Sequence, residues 1–192
     1  MSSTAGPLCP AADHGEAVRI NSFALVTYIP DPLGEFLDDL RKELVPECSL
    51  RSHVSILPPR PLIHTEQAAH DQIERECRRT TRFRIEAGEI RLFPVTNVIY
   101  IAVDTGEFEL RQMHDSLNSN ALAYKEPYFY HPHITLAQQL PDCEIRGCNE
   151  LAKRRWAEYR HERSFDVEAI TFVQNTTANR WIDLSEIKMG RF

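Results

Sequence analysis

The sequence lacks several features that would assign a chain to a specialised class. It has no apolar run near the length of a membrane-spanning helix and no charged-then-apolar signal peptide at its start. Its five cysteines form neither an even set nor a CxxC pair, which favours reduced thiols over a disulfide framework. Positive charge is not in excess either, because the net charge is −6. We therefore predict a soluble cytoplasmic protein that binds neither membranes nor long duplex nucleic acid.

The composition is that of a globular protein, with 42% hydrophobic and 26% charged residues. A chain of 192 residues is long enough for one sizeable core but short for two independent domains. Residues 1–18 contain little apolar content and several glycines and prolines, which predicts a flexible N-terminal tail. The rest, residues 19–192, is predicted to form one domain.

Hydrophobic periodicity and turn residues divide this domain into two similar series of elements. The first series is predicted to comprise, in order, a strand over 23–29, a helix over 31–44 that begins at Asp31-Pro32, a strand from His53 that ends at Pro58-Pro59, a helix over about 65–80 and a strand over 83–93. The second is predicted to comprise a strand over 98–103, a helix capped by Asp104 and Glu107, a strand from His133, a helix capped by Asp142, and strands over 165–173 and 181–187.

The chain thus shows a βαβαβ pattern twice, followed by a final strand. Such a duplication predicts an α+β fold whose two lobes, approximately residues 19–93 and 94–192, are related by a pseudo-twofold axis. We expect a central cleft between two antiparallel sheets, with the helices outside.

A short motif occurs once in each series, as His53-Val54-Ser55-Ile56 and as His133-Ile134-Thr135-Leu136. Because side chains alternate along a strand, each histidine shares a face with the hydroxyl two residues later, and the apolar residues point to the other face. An imidazole can move a proton while a hydroxyl donates a hydrogen bond to a phosphate oxygen. The two motifs therefore predict one phosphate site.

His-x-Ser/Thr before an apolar residue, twice and about eighty residues apart, resembles the two-histidine (2H) phosphoesterase superfamily. The closest similarity is to its bacterial 2′-5′ RNA ligase and cyclic phosphodiesterase members. It extends from Ser22 to the C-terminus and includes Pro58-Pro59 and Pro132. The resemblance implies the bilobal fold, acid–base roles for the two motif histidines and phosphate contacts for Ser55 and Thr135. It also implies that His133 is the base toward water and His53 the acid.

Two histidines at one phosphate suit in-line displacement at phosphorus, since one removes a proton and the other supplies one. We predict a metal-independent phosphodiesterase, without a cofactor, that hydrolyses a 2′,3′-cyclic phosphate or a related phosphodiester of a nucleotide or RNA end. In reverse, with an RNA 5′-hydroxyl as nucleophile, the same site catalyses 2′-5′ ligation. The alternative is a non-catalytic module that binds nucleotides or RNA ends. The intact motifs favour the enzyme, and the sequence leaves the oligomeric state open.

Other residues near the motifs are further candidates for substrate contacts. Many ligase-type members carry an arginine shortly after the second motif, whereas this chain has Gln138, which argues against strict RNA ligase activity. Arg60 is a candidate replacement for that cation, and the alternative is that it is an ordinary surface arginine. Tyr128 and Tyr130 can either stack on a base or pack at the mouth of the sheet.

His131 and His133 resemble a bidentate metal pair to which His53 would add a third ligand. No acidic or cysteine ligand lies near His131 in the sequence, so we predict no metal site.

Overall fold

Eight strands form one curled antiparallel sheet in the computed structural model, which describes residues 17–190. The strands are β1 (Arg19–Tyr28), β2 (His53–Arg60), β3 (Phe83–Phe93), β4 (Val98–Val103), β5 (His133–Ala137), β6 (Ser164–Val167), β7 (Ala169–Thr176) and β8 (Trp181–Lys188). The α-helices are α1 (Leu33–Leu44), α2 (Glu66–Arg79), α3 (Glu107–Leu117) and α4 (Asp142–Glu158), and a short 3-10 helix covers Asn120–Leu122. The α+β fold class is confirmed.

The two faces of the sheet differ as the alternation of the sequence predicts. Val54 and Ile56 on β2, and Ile134 and Leu136 on β5, are at most 1% exposed. They belong to one core cluster with the apolar stripes of all four helices. The helices therefore cover one face of the sheet. The opposite face, here called the open face, carries the intervening residues of the motif strands.

Local sequence features explain where the first two helices begin. The Asp31 carboxylate accepts a hydrogen bond from the Glu35 amide at 3.0 Å, and α1 begins directly after Pro32. Thr65 caps α2 by accepting from the Ala68 amide at 3.2 Å. Both helices were predicted within two residues at each end.

The caps predicted for the other two helices are wrong. Helix α3 begins after Gly106, whose φ of 89° suits glycine, and neither Asp104 nor Glu107 caps it by a side-chain hydrogen bond. Asp142 is the first residue of α4 instead of its cap, and its carboxylate accepts from the Asn97 amide side chain at 3.0 Å.

The strand predicted over 165–173 is in fact two strands, so the sheet has eight strands and not seven. Strand β6 pairs with β3 and strand β7 pairs with β1, on opposite halves of the sheet. The chain must leave one half for the other between Val167 and Ala169, which interrupts the pairing at Glu168.

The strand order is β6-β3-β4-β5-β2-β1-β7-β8. The two motif strands, β2 and β5, are the central neighbours, paired through Val54 and Ile134. Each half of the sheet draws strands from both parts of the chain, because β3 lies beside β4 while β7 and β8 return to β1. The halves of the sheet therefore do not follow a division of the sequence near residue 93. The sheet curls enough for Thr81 and Gly190 to form a parallel bridge.

Most of the predicted N-terminal tail, residues 1–16, lies outside the described residues. Val18 is held to Thr177, whose backbone amide donates to the Val18 carbonyl at 2.8 Å. The four cysteines in the described range, Cys48, Cys77, Cys143 and Cys148, are free thiols. Between residues 17 and 190, the helices are too short or too polar to span a membrane.

Candidate active site

The register between β2 and β5 places the two motifs side by side. Val54 lies opposite Ile134 in an antiparallel pair. One residue to either side, His53 lies opposite Thr135 and Ser55 lies opposite His133, all four half-buried on the open face. Side chains directly opposite each other are about 4.5–5.5 Å apart at Cβ, and diagonal neighbours about 7–8 Å apart at Cα. The two histidines therefore occupy one diagonal of a four-residue square and the two hydroxyls the other.

Both imidazoles are held by the backbone in the same way. His53 Nδ1 lies 2.7 Å from the Arg51 carbonyl oxygen, and His133 Nδ1 lies 2.6 Å from the His131 carbonyl oxygen. A carbonyl only accepts, so each Nδ1 carries the hydrogen and donates it. In the neutral ring Nε2 then has a lone pair. Each histidine therefore offers Nε2 as a proton acceptor when neutral and as a donor when charged.

Burial disfavours the charged form of both histidines. It lowers the pKa of His53 to about 4, against the opposing effect of the Arg51 carbonyl, and the positive charge of Arg41 contributes to the lowering. Burial also lowers the pKa of His133, with a contribution from His131. His133 is itself among the charges that lower the pKa of His53, so the two rings are close enough to interact. Both rings are therefore predominantly neutral at pH 7 in the free protein.

Aromatic rings flank each histidine. The Tyr28 ring meets His53 edge to face, with centroids 6.4 Å apart. On the other side, Phe93 and Tyr100 meet His133 edge to face at 5.2 and 5.4 Å. The square of polar side chains thus lies between two aromatic walls. These walls were not predictable from the sequence, because they depend on the pairing of β1 and β4 with the motif strands and of β3 with β4.

Arg60 is the clearest error among the predicted substrate contacts. Its side chain is 1% exposed and forms an ion pair with Glu126. The guanidinium also donates to Asn118 Oδ1 at 2.9 Å and to the Leu122 carbonyl at 3.2 Å. Because its charge is buried and fully engaged, Arg60 cannot take the place of the cation missing at Gln138.

Tyr130 has a structural contact instead of the predicted base contact. Its hydroxyl donates to the Ser55 carbonyl at 2.8 Å. Its ring stacks on His114, with centroids 4.0 Å apart and planes 4° apart. The residue therefore supports the backbone of the first motif and has one ring face already covered.

Tyr128 and Gln138 are both exposed, Tyr128 at 68%. No hydrogen bond joins either side chain to another part of residues 17–190. Their roles as substrate contacts stay predictions.

Arg51 was missed by the sequence reasoning. It precedes His53 by two residues, and its carbonyl fixes the His53 tautomer. The distance of two residues was a usable indication, since residues two apart in extended chain point the same way.

The suggested metal ligands are His131 and His133, with His53 as a third. The rings of His131 and His133 are 6.3 Å apart at their centroids. Across the described part of the chain, no group of three or more histidine, cysteine, aspartate or glutamate side chains is arranged to hold a metal ion.

The family model for the 2′-5′ RNA ligase superfamily matches residues 29–179, which include both motifs and the strands between them. The chain belongs to the 2′-5′ RNA ligase superfamily. This confirms the resemblance inferred from the two motifs, and it associates the chain with phosphoesterase and RNA ligase-type chemistry.

Two relatives from this superfamily are similar in sequence. A Geobacillus kaustophilus protein, which its name assigns to the phosphoesterases, is 26% identical over 131 residues, covering 64% of this chain and 72% of its own. A second, from Geobacillus sp. strain WCH70, is 32% identical over 102 residues, covering 48% and 58% of the two chains.

Solved structures extend the likeness to the whole fold. Apo E. coli LigT has a TM-score of 0.63 at 18% identity, covering 92% of this chain and 99% of LigT. LigT with 3′-AMP has a TM-score of 0.60 at 15% identity, covering 91% and 99%. Kluyveromyces marxianus Usb1 with uridine monophosphate has a TM-score of 0.50 at 12% identity, covering 85% and 97%. At these identities the similarity shows the fold alone.

Proposed function

We propose that this chain is a phosphodiesterase that hydrolyses the 2′,3′-cyclic phosphate, or a related phosphodiester, of a nucleotide or RNA end. The proposal depends on one observation above all: the register of β2 and β5 brings two histidines and two hydroxyls to one face. The nucleotide complexes of LigT and Usb1 support a nucleotide substrate. Reverse 2′-5′ ligation, with an RNA 5′-hydroxyl in place of water, would use the same groups.

The four residues of the square account for both proton transfers of the hydrolytic step and for the hydrogen bonds to the phosphate. One histidine removes a proton from water through Nε2 as the water oxygen bonds to phosphorus. The bond from phosphorus to one ribose oxygen breaks, and the other histidine, as imidazolium, gives that oxygen its Nε2 proton. Ser55 and Thr135 donate hydrogen bonds to the non-bridging oxygens, where charge builds up. The product is a nucleoside 2′- or 3′-monophosphate, and one water molecule is consumed.

Protein groups supply both proton transfers in this step, and the ring strain of the cyclic phosphate assists departure of the ribose oxygen. We therefore expect no requirement for a metal ion. Activity should be the same in protein dialysed against EDTA as in untreated protein. Loss of activity in EDTA and recovery with Zn²⁺ would instead make His131 and His133 ligands.

The decisive experiment incubates the purified protein with each nucleoside 2′,3′-cyclic phosphate and with an oligonucleotide that ends in one. Phosphorus NMR identifies the monoester product and therefore the bond that is broken. The double variant His53→Ala/His133→Ala, prepared identically, measures contaminating nuclease. Turnover above this background supports the proposal. Binding without turnover would instead support the non-catalytic module.

A further inference from the structure

A cavity of about 780 Å³ lies beside His53 on the open face. Tyr28 and Arg51 line it, and both also contact His53, one through its ring and the other through its backbone carbonyl. The cavity is thus next to the proposed phosphate site and large enough for part of a nucleotide.

The charges that line this cavity are only partly neutralised by each other. Glu168 pairs with Arg82 at 2.6 Å, and Asp166 pairs with Arg84 at 3.5 Å. Glu186 forms no ion pair with any residue between 17 and 190. Because Glu168 and Asp166 already pair with arginines, neither carboxylate is available to pair with another cation of the cavity.

Two lining cations, Arg51 and Lys188, have no carboxylate within ion-pair distance among the described residues. The fourth lining carboxylate, Asp183, accepts a hydrogen bond from the Tyr28 hydroxyl at 2.6 Å. The lining charges that form no ion pair within residues 17–190 are therefore two cations, Arg51 and Lys188, and two carboxylates, Asp183 and Glu186, and Arg51 is the cation that lies next to His53.

The Arg51 guanidinium is arranged so that it can bind a phosphate. Its guanidinium carbon lies 4.0 Å from the Tyr28 ring centroid, so the flat face rests on the ring. Stacking uses the face of the guanidinium and leaves its N–H groups free in the plane, where they can donate two parallel hydrogen bonds to a phosphate. Asp183 holds the hydroxyl end of Tyr28, and the hydrogen bond from His53 to the Arg51 carbonyl keeps Arg51 beside the reacting phosphate.

We propose that Arg51 binds a second phosphate of the substrate in this cavity, and that Tyr28 and Asp183 position its guanidinium. The inference rests on the proposed function and narrows the substrate class. It selects substrates with another phosphate near the scissile one, such as a nucleoside 2′,3′-cyclic phosphate that also carries a 5′-phosphate.

The test compares adenosine 2′,3′-cyclic phosphate with and without a 5′-phosphate. Arg51→Met keeps the length of the side chain and removes its charge. It should raise KM for the 5′-phosphorylated substrate on the order of tenfold, the loss expected for a charge-assisted hydrogen bond. For the substrate without the 5′-phosphate, the loss in kcat/KM should be several-fold smaller, since Arg51→Met removes no side-chain contact of that substrate and the backbone carbonyl that holds His53 is still present. Tyr28→Phe keeps the ring but loses its hydrogen bond to Asp183. It should therefore raise KM for the 5′-phosphorylated substrate by a smaller factor than Arg51→Met.

Arg79→Met is the matched control, because Arg79 is an exposed arginine of α2 and forms no ion pair with residues 17–190. This variant should leave KM and kcat/KM unchanged for both substrates. Equal losses on both substrates with Arg51→Met, or no loss on either, would overturn the inference while leaving the proposed function intact.

Failure of the proposed function gives a different result, since the wild type would then turn over neither substrate. Calorimetry with adenosine 3′,5′-bisphosphate and adenosine 3′-monophosphate still tests Arg51, because it needs no turnover. Arg51→Met should weaken the bisphosphate alone, and equal affinity of the two proteins for the bisphosphate would refute the role of Arg51.

Discussion

The two histidines of the site have matching backbone contacts but different charged neighbours. Each donates Nδ1–H to the carbonyl of the residue two positions earlier. The positive charge of Arg41 acts on His53, whereas that of His131 acts on His133. Arginine is always charged, while histidine titrates. The Asp38 carboxylate acts against Arg41, but burial still lowers the pKa of His53 to about 4. We therefore expect His53 to be the base and His133 the acid, the reverse of the assignment that the resemblance implies.

Removal of either imidazole should have a larger effect than removal of either hydroxyl. His53→Ala and His133→Ala should each lower kcat by at least ~10²-fold, because each removes one proton transfer. Ser55→Ala and Thr135→Val should lower it less, because each removes one hydrogen bond to a phosphate oxygen. Initial rates with a 2′,3′-cyclic nucleotide measure the effect of the histidine variants and of the hydroxyl variants. Only variants whose circular dichroism matches that of the wild type are compared. A hydroxyl variant as damaged as a histidine variant would show that the roles are wrongly divided.

The pH dependence should reflect the lowered pKa of each histidine. The step requires one neutral and one charged imidazole, so kcat/KM should be bell-shaped, with limbs set by the free protein. Since burial lowers both pKa values, that of His53 to about 4, the maximum should lie below pH 6.5. Above it the rate falls as the acid loses its proton. A bound phosphate anion stabilises the imidazolium form of both histidines. The pH profile of kcat should therefore be shifted to higher pH than that of kcat/KM.

Variants can assign the two limbs. If His53 is the base, His53→Ala should abolish the acidic limb in its residual kcat/KM and leave the alkaline limb. His133→Ala should do the opposite. A maximum at or above pH 7 for the wild type would contradict the effect of burial.

Sequence periodicity was sufficient to place the four motif residues on one face, since that inference needs only the alternation of β2 and β5. The burial of Arg60 could not be predicted in the same way. Its partner Glu126 lies 66 residues away, and nothing local distinguishes a buried arginine from an exposed one at the end of a strand. The two-residue spacing of Arg51 from His53 was a local indication, but the contact of Arg51 with Tyr28 was not predictable, because the pairing of β1 with β2 brings that ring to it.

At the scale of elements, a buried polar network joins β2, α3 and the segment that precedes β5. Arg60 pairs with Glu126, whose carboxylate also meets His114 Nε2 at 2.9 Å. His114 stacks on Tyr130, and the Tyr130 hydroxyl bonds to the Ser55 carbonyl. The network thus extends from the end of one motif strand back to its middle, and it fixes the segment that leads into the other motif.

Tyr130→Phe tests whether this network supports the site. Loss of one hydrogen bond should lower the free energy of unfolding by about 1 kcal/mol. KM should also rise, because Ser55 is held less firmly against the phosphate. Urea denaturation and steady-state kinetics measure the two effects.

Tyr159→Phe is the matched control, since the Tyr159 hydroxyl is buried without a hydrogen-bond partner in the described structure. It should leave KM unchanged and should not destabilise the protein. A loss of stability in Tyr130→Phe with an unchanged KM would limit Tyr130 to a structural role.

Elements with local determinants were predictable, and those defined by distant pairing were not. The Thr65 cap and the apolar spacing of α2 lie within the helix itself. The division between β6 and β7 has no such local mark, because Glu168 is neither glycine nor proline and an apolar residue lies on each side of it. Only the separate partners of the two strands, β3 and β1, divide them.

At the scale of the whole molecule, a net charge of −6 opposes extended contact with nucleic acid. We expect an oligonucleotide with a cyclic-phosphate end to bind through few phosphates. Two contacts on a single strand correspond to a slope of about −1.4 for log K against log salt concentration. Fluorescence anisotropy with the His53→Ala/His133→Ala variant, which prevents turnover, measures this slope. A slope several times steeper would reveal a basic surface that contacts many phosphates.

Because the halves of the sheet exchange strands, some strands that are neighbours in the sheet are synthesised far apart in time. Strand β1 emerges early, but its neighbour β7 begins only at Ala169. At about 5–20 residues per second, a ribosome needs on the order of ten seconds or more to travel between them. Throughout that time β1 has a bare edge, which can pair with another chain. Chaperones that cover exposed strand edges would therefore be needed most during translation, and slow codons after β5 should reduce the yield of native protein.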